Sequence, residues 1–177
     1  MEGNNRSKEL QEIAQYIGRT SWNYRKPKAT MTKSWLLDEL QMENHVPEIL
    51  EQLFPFQIWL LKGEMGAGKT TLVRKLCGVI GSEQETSSPS YSIIQEYRFN
   101  ENKFGINNLF HIDLFRLHNL QEVIDVGIEE ILENGARCII EWPELIQPII
   151  QGLSVISIQI EGSGTNKRIY KLEKTHS

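Results

Sequence analysis

Apolar positions along this chain fall into two rhythms. Short, dense runs at Thr32–Leu37, Phe56–Lys62, Leu109–Leu114 and Arg137–Trp142 are too brief for helices and predict strands. Tyr91–Phe99 alternates polar and apolar residues as a strand does, and Ser154–Ile160 with Arg168–Leu172 predicts a closing hairpin around Gly162 and Gly164. Between the runs, apolar residues recur at helical spacing. Asp38–Leu53 carries Leu40, Val46, Ile49, Leu50 and Leu53, with Pro47 marking a break or a new first turn. Lys69–Val79 ends at Gly81, as a C-cap would have it. Leu120–Leu132 also has helical spacing, which Gly127 weakens. Strands interleaved with helices predict an α/β fold. Its central mixed sheet, flanked by helices, is parallel where helices intervene and antiparallel where hairpins do.

Composition sets the limits of that picture. A chain of 177 residues suits one domain. Residues 1–30 are polar, turn basic at Arg25, Lys26 and Lys28, and hold one candidate short helix, Lys8–Ile17; they read as a flexible extension before a domain at 31–173 and a short tail at 174–177. The net charge of −4 supplies no overall field for nucleic acid, so any RNA contact is local or made through a partner. Apolar runs such as Ile58–Leu61 fall far short of the roughly 20 residues a membrane span needs. The opening Met-Glu-Gly-Asn-Asn-Arg-Ser lacks the order of a signal peptide, which predicts a cytoplasmic protein. Cys77 and Cys138 lie in apolar surroundings without metal-ligand spacing and read as buried thiols.

The chemistry concentrates at Gly63-Glu64-Met65-Gly66-Ala67-Gly68-Lys69-Thr70, which fits GxxxxGK[ST] with a predicted strand before it and a predicted helix after it. Glycines let successive backbone N–H groups turn inward on phosphates, and the positive end of the following helix adds to that field. Lys69 is placed to reach the β- and γ-phosphates of ATP or GTP, and the Thr70 hydroxyl to ligate magnesium, Mg2+. Thr71 reads as a helix residue near the phosphates.

Such a site also needs a carboxylate for the metal and a group to orient water. Glu141 and Asp113 each end an apolar strand, where ligands of parallel sheets bind, and both stay open as the metal-linked acid. His111 shares a strand face with Asp113 and either lines the site or orients that acid. Ser88-Pro89-Ser90 is either a rigid turn or a switch that senses the γ-phosphate.

Taken together, these strings resemble the bacterial TsaE (YjeE) proteins, small P-loop ATPases of the tRNA threonylcarbamoyladenosine pathway. The resemblance rests on the phosphate loop through Thr71, Ser88-Pro89-Ser90-Tyr91, Glu96-Tyr97, His111-Ile112-Asp113-Leu114-Phe115-Arg116-Leu117 and Ile140-Glu141-Trp142-Pro143-Glu144, and it spans roughly Met31 to Tyr170. Phe115 stands where the family usually has Tyr, Tyr91 where it often has Phe, and Ser90 where it usually has Thr. The resemblance implies ATP binding with slow hydrolysis, and a cytoplasmic complex with TsaD and TsaB. That complex attaches threonylcarbamoyl to the adenosine next to the anticodon, and the transfer chemistry belongs to TsaD. It further implies that Lys69 and Thr70 bind phosphate and magnesium, and that Asp113 and Glu141 are the acidic site residues. Of these, Glu141 is the water-orienting or metal-linked acid. Trp142 lies beside the nucleotide, and Ser88 and Pro89 fall in the switch.

Three other readings share the loop. A small-molecule kinase needs an arginine-bearing lid, whereas Arg98, Arg116 and Arg137 are scattered. A GTPase reads guanine with Asn-Lys-x-Asp, which Asn166-Lys167-Arg168-Ile169 begins but does not complete. A non-catalytic adaptor would use bound ATP to lock a docking surface.

Overall fold

The computed structural model describes residues 29–82 and 92–175. Seven strands form one sheet: β1 (Ala29–Leu37), β2 (Ile58–Lys62), β3 (Ile94–Arg98), β4 (Asn108–Asp113), β5 (Cys138–Glu141), β6 (Val155–Gly162) and β7 (Arg168–Thr175). Their order across the sheet is β1-β7-β6-β2-β5-β4-β3. The central strands β6, β2, β5 and β4 run parallel, and the outer pairs β6–β7, β7–β1 and β4–β3 are antiparallel. This is the mixed α/β sheet that the interleaved pattern predicts. The strand β1 begins at Ala29, ahead of the predicted Thr32. Its pairing runs from Ala29 opposite Thr175 to Leu37 opposite Arg168.

Alternation along β2 divides the core in two. Trp59 and Leu61 face helices α1 (Glu39–Leu53) and α2 (Lys69–Ile80), while Ile58 and Leu60 face α3 (Leu120–Asp125) and α4 (Ile128–Glu133). With both faces covered, the central strands read as continuous apolar runs. Each large side chain taken out of water here contributes roughly 1.5–3 kcal/mol.

Two predicted helices differ from expectation, each for a local reason. The first does not break at Pro47. It is one helix with Pro47 inside, started by a capping box in which Asp38 Oδ1 accepts from the Gln41 N–H at 2.9 Å and the Gln41 side chain accepts from the Asp38 N–H. Met42 and Val46 before the proline, and Ile49, Leu50 and Leu53 from there on, are buried along one stripe, so packing on the sheet overrides the lost hydrogen bond. The second, predicted as continuous over Leu120–Leu132, is two helices. Gly127 takes φ 79°, a left-handed turn that an α-helix cannot carry, and α4 starts anew behind it. Both cysteines are free and buried, as expected.

Candidate nucleotide site

The loop Gly63–Gly68 joins β2 to α2 at the C-terminal edge of the parallel strands, where α/β sheets bind their ligands. At its entrance Gly63 has φ 146°, and a Cβ there would lie 2.5 Å from the backbone oxygen of Ile160 on β6. No other residue fits between loop and sheet at this point. The Glu64 carbonyl accepts from the Ala67 N–H at 3.1 Å to close the turn, and the Gly68 carbonyl accepts from Leu72 to start α2. The first turn of this 12-residue helix therefore presents its free N–H groups at the loop.

Lys69 is buried, with 5% of its surface exposed. Its ammonium donates to the Gly63 carbonyl at 2.8 Å and the Glu64 carbonyl at 3.0 Å, and sits 3.9 Å from the centre of the Trp142 ring. Burial pulls the Lys69 pKa below the ordinary lysine value, while the carboxylates of Glu141, Asp113 and Glu144 act the other way. Trp142 reaches this position through a left-handed backbone, φ 57°, rare for a residue with a large side chain. The Phe115 ring packs against it with centroids 4.9 Å apart.

Beside the lysine, Thr70 Oγ1 donates to Glu141 Oε1 at 2.9 Å. Strand pairing explains this contact: β5 lies between β2 and β4, with Glu141 in register with Leu61 on one side and Asp113 on the other. Glu141 is 2% exposed. Asp113 is half-buried, and its carboxylate accepts from the Phe115 N–H at 3.0 Å. His111, fully buried, places Nε2 2.9 Å from Glu141 Oε1.

The site thus brings Lys69, Thr70, Asp113, Glu141 and Trp142 together at one sheet edge. Glu64, Met65 and Gly66 are exposed along the rim of the loop, Ala67 and Gly68 lie half-buried behind them, and Thr71 is an exposed residue of α2. Ser88, Pro89 and Ser90 lie outside the described residues. A cavity of about 720 Å³ lies at the other end of the sheet, among Gln57, Asn108, Arg137 and Ser154 at the starts of β2, β4, β5 and β6, and has no part in this arrangement.

With loop, lysine, hydroxyl and acids in place, comparison with known proteins decides the lineage. The family model described as "Threonylcarbamoyl adenosine biosynthesis protein TsaE" matches residues 36–170, most of the chain. The chain belongs to the TsaE family. Among TsaE proteins, that of Rickettsia conorii is 32% identical over 129 residues, covering 72% of this chain and 70% of its own. That of Rickettsia typhi is 30% identical and covers 78% of this chain and 92% of its own. The crystal structure of Bacillus subtilis YdiB overlays with a TM-score of 0.58, covering 86% of this chain and 90% of that one at 21% identity, which supports the fold. The resemblance carried by the sequence strings is borne out.

Two features of this TsaE site are not legible in the sequence. His111 bonds Glu141, thirty positions away, rather than its strand neighbour Asp113. The sequence also places no arginine at the loop, yet a Cβ on Gly68 would lie 3.5 Å from Arg168 Nε, so the guanidinium at the start of β7 packs against the last loop glycine. Only the order of the strands, which brings β7 beside β6 and the loop, could have revealed it.

Proposed function

We propose that this TsaE-family chain binds ATP with magnesium at the loop, hydrolyses it slowly, and thereby supports threonylcarbamoyl modification of the adenosine next to the anticodon of tRNA, together with TsaD and TsaB. The relatives reported above carry the name "tRNA threonylcarbamoyladenosine biosynthesis protein TsaE", and the matched stretch 36–170 includes the loop and both acids. The observation that carries the reading is the hydrogen bond from Thr70 to the buried Glu141, which ties the end of the phosphate loop to an acid on the neighbouring strand.

The donors suit magnesium in kind. The Thr70 hydroxyl and the Asp113 and Glu141 carboxylates are hard oxygen groups. Among the described residues no group of three or more His, Cys, Asp or Glu side chains is placed to hold a metal. The ion would be shared with a phosphate, as magnesium commonly is. Bound there, it would neutralise charge on the phosphates. Lys69 supplies a cation already stripped of water, and the loop N–H groups and the start of α2 hold the oxygens in a fixed field. Glu141 offers a carboxylate that can orient a water molecule, and Trp142 with Phe115 shields the lysine from solvent. The low charge of the whole chain leaves tRNA to be met through the partners.

The test is magnesium-dependent phosphate release by the purified chain, alone and with TsaD and TsaB. Slow turnover that rises with the partners, and tRNA modification that stalls after few turnovers without this chain, are the expected results. Phosphate passed to a small metabolite, indifferent to both partners, would replace this reading with a kinase.

A further inference from the structure

Among the described residues the buried Nδ1 of His111 has no hydrogen-bond partner, although Nε2 on the same ring is well bonded. From that asymmetry we infer that His111 is a positioning residue which fixes the direction of a hydrogen-bond chain running from the core to the phosphate loop. Its consequence for metal use rests on the ATP reading above; the direction of the chain does not.

A neutral imidazole carries one hydrogen, on either nitrogen. A hydrogen on Nδ1 would be a buried donor with no acceptor among the described residues, and it would turn the Nε2 lone pair toward the Glu141 carboxylate, leaving neither ring nitrogen bonded. The hydrogen therefore belongs on Nε2, donated to Glu141 Oε1 at 2.9 Å. Tyr97, itself buried, stacks on the ring at 6.3 Å between centroids with 20° between planes and keeps it from turning.

The rest of the direction follows. Glu141 Oε1 receives from His111 and so acts as an acceptor, and it takes its second bond from Thr70 Oγ1, also at 2.9 Å. Thr70 has a single hydroxyl hydrogen, and Glu141 claims it. The lone pairs of Thr70 Oγ1 are thereby left to face away from the carboxylate, in the state a cation needs from a hydroxyl. His111 touches neither nucleotide nor metal. It acts through Glu141, as outer partners of metal sites do when they orient the groups in front of them.

Two measurements test this. In the ligand-free chain, nitrogen-15 NMR of the histidine rings should show His111 as a single tautomer with its hydrogen on Nε2; a hydrogen on Nδ1 overturns the inference outright. The second measurement compares His111→Gln, whose amide N–H reaches about as far as Nε2, with His111→Asn, which falls short, and with His111→Leu, which offers no donor. The quantities read are the magnesium concentration for half-maximal phosphate release and the affinity for ATP without magnesium. His111→Asn and His111→Leu should need about 10- to 100-fold more magnesium, or lose as much turnover, with magnesium-free affinity unchanged. His111→Gln should stay within about threefold of the unsubstituted chain. Identical magnesium dependence in His111→Leu, or a His111→Gln as impaired as His111→Leu, overturns it. Thermal unfolding shows which variants are folded, and should His111→Leu not fold, the Gln and Asn pair decides. If the unsubstituted chain hydrolyses no ATP, the functional reading falls on its own, and the tautomer in the spectrum then upholds or overturns this inference.

Discussion

At the scale of single residues, the site is held by contacts that each do a different job, so substitutions should separate them. Lys69→Ala removes the buried cation and is expected to weaken ATP binding about 10- to 100-fold, with hydrolysis lost in step, since hydrogen bonds to charged groups are worth about 1.5–3 kcal/mol. Glu141→Ala should spare binding far more than turnover. Titration of nucleotide against each variant beside phosphate release reads the two effects, and equal loss of both in Glu141→Ala would remove that residue from the reacting centre. Gly63→Ala tests the loop's seat on β6. The new Cβ meets the Ile160 oxygen at 2.5 Å on a left-handed backbone, and a loss of about 2 kcal/mol or more in denaturant unfolding is expected. Glycine at Gly63 and lysine at Lys69 are legible in the sequence because the loop is a local string. The His111 contact is not, because it depends on which strand lies next to which.

Secondary-structure elements were legible where a single force dominates them. The strand β5 is buried on both faces, so Cys138-Ile139-Ile140 stands out as an apolar run, and α2 is bounded by its loop and by Gly81. The helix α1 is a harder case. Pro47 is a local stop signal, outweighed by a stripe of buried residues that only the folded sheet makes visible. Pro47→Ala returns an N–H to the middle of α1 and should stabilise the protein by about 2 kcal/mol. Proline costs an interior helix about 3 kcal/mol, but its stiffening of the unfolded chain offsets part of that. A raised unfolding midpoint in urea checks it. An unchanged or lowered midpoint would mean that the helix is shaped around the ring. Gly127 misleads in the opposite sense, for helical spacing continues across it while the backbone turns left-handed.

For the molecule as a whole, the sheet is a frame whose two halves differ in purpose. The parallel strands β2, β5 and β4 bring loop and acids to one edge, while the antiparallel pairs close the sides and deliver Arg168 to the loop from behind. Lys69 is buried beneath the loop, so a ligand that pairs with it should stabilise the fold as well as occupy it. At a free ATP concentration about 100 times the dissociation constant, with magnesium present, the gain is about 2.7 kcal/mol, visible as a raised melting temperature. The same addition should stabilise Lys69→Ala by only about 0.4–1.4 kcal/mol, given its 10- to 100-fold weaker binding. A rise in that variant equal to the parent's would show that the nucleotide is held elsewhere.

The pairing of Ala29 with Thr175 has a practical side. It sets the two ends of the described fold next to each other, at the far end of β7 from Arg168, about 23 Å along the strand at 3.3 Å per residue. A fluorescent protein joined directly at Ala29 or at Thr175 would hang from the pole opposite the phosphate loop and should leave ATP affinity as it was, on the same nucleotide titration. The chain can thus be tethered, labelled or linked to a partner from one side while its working edge stays open.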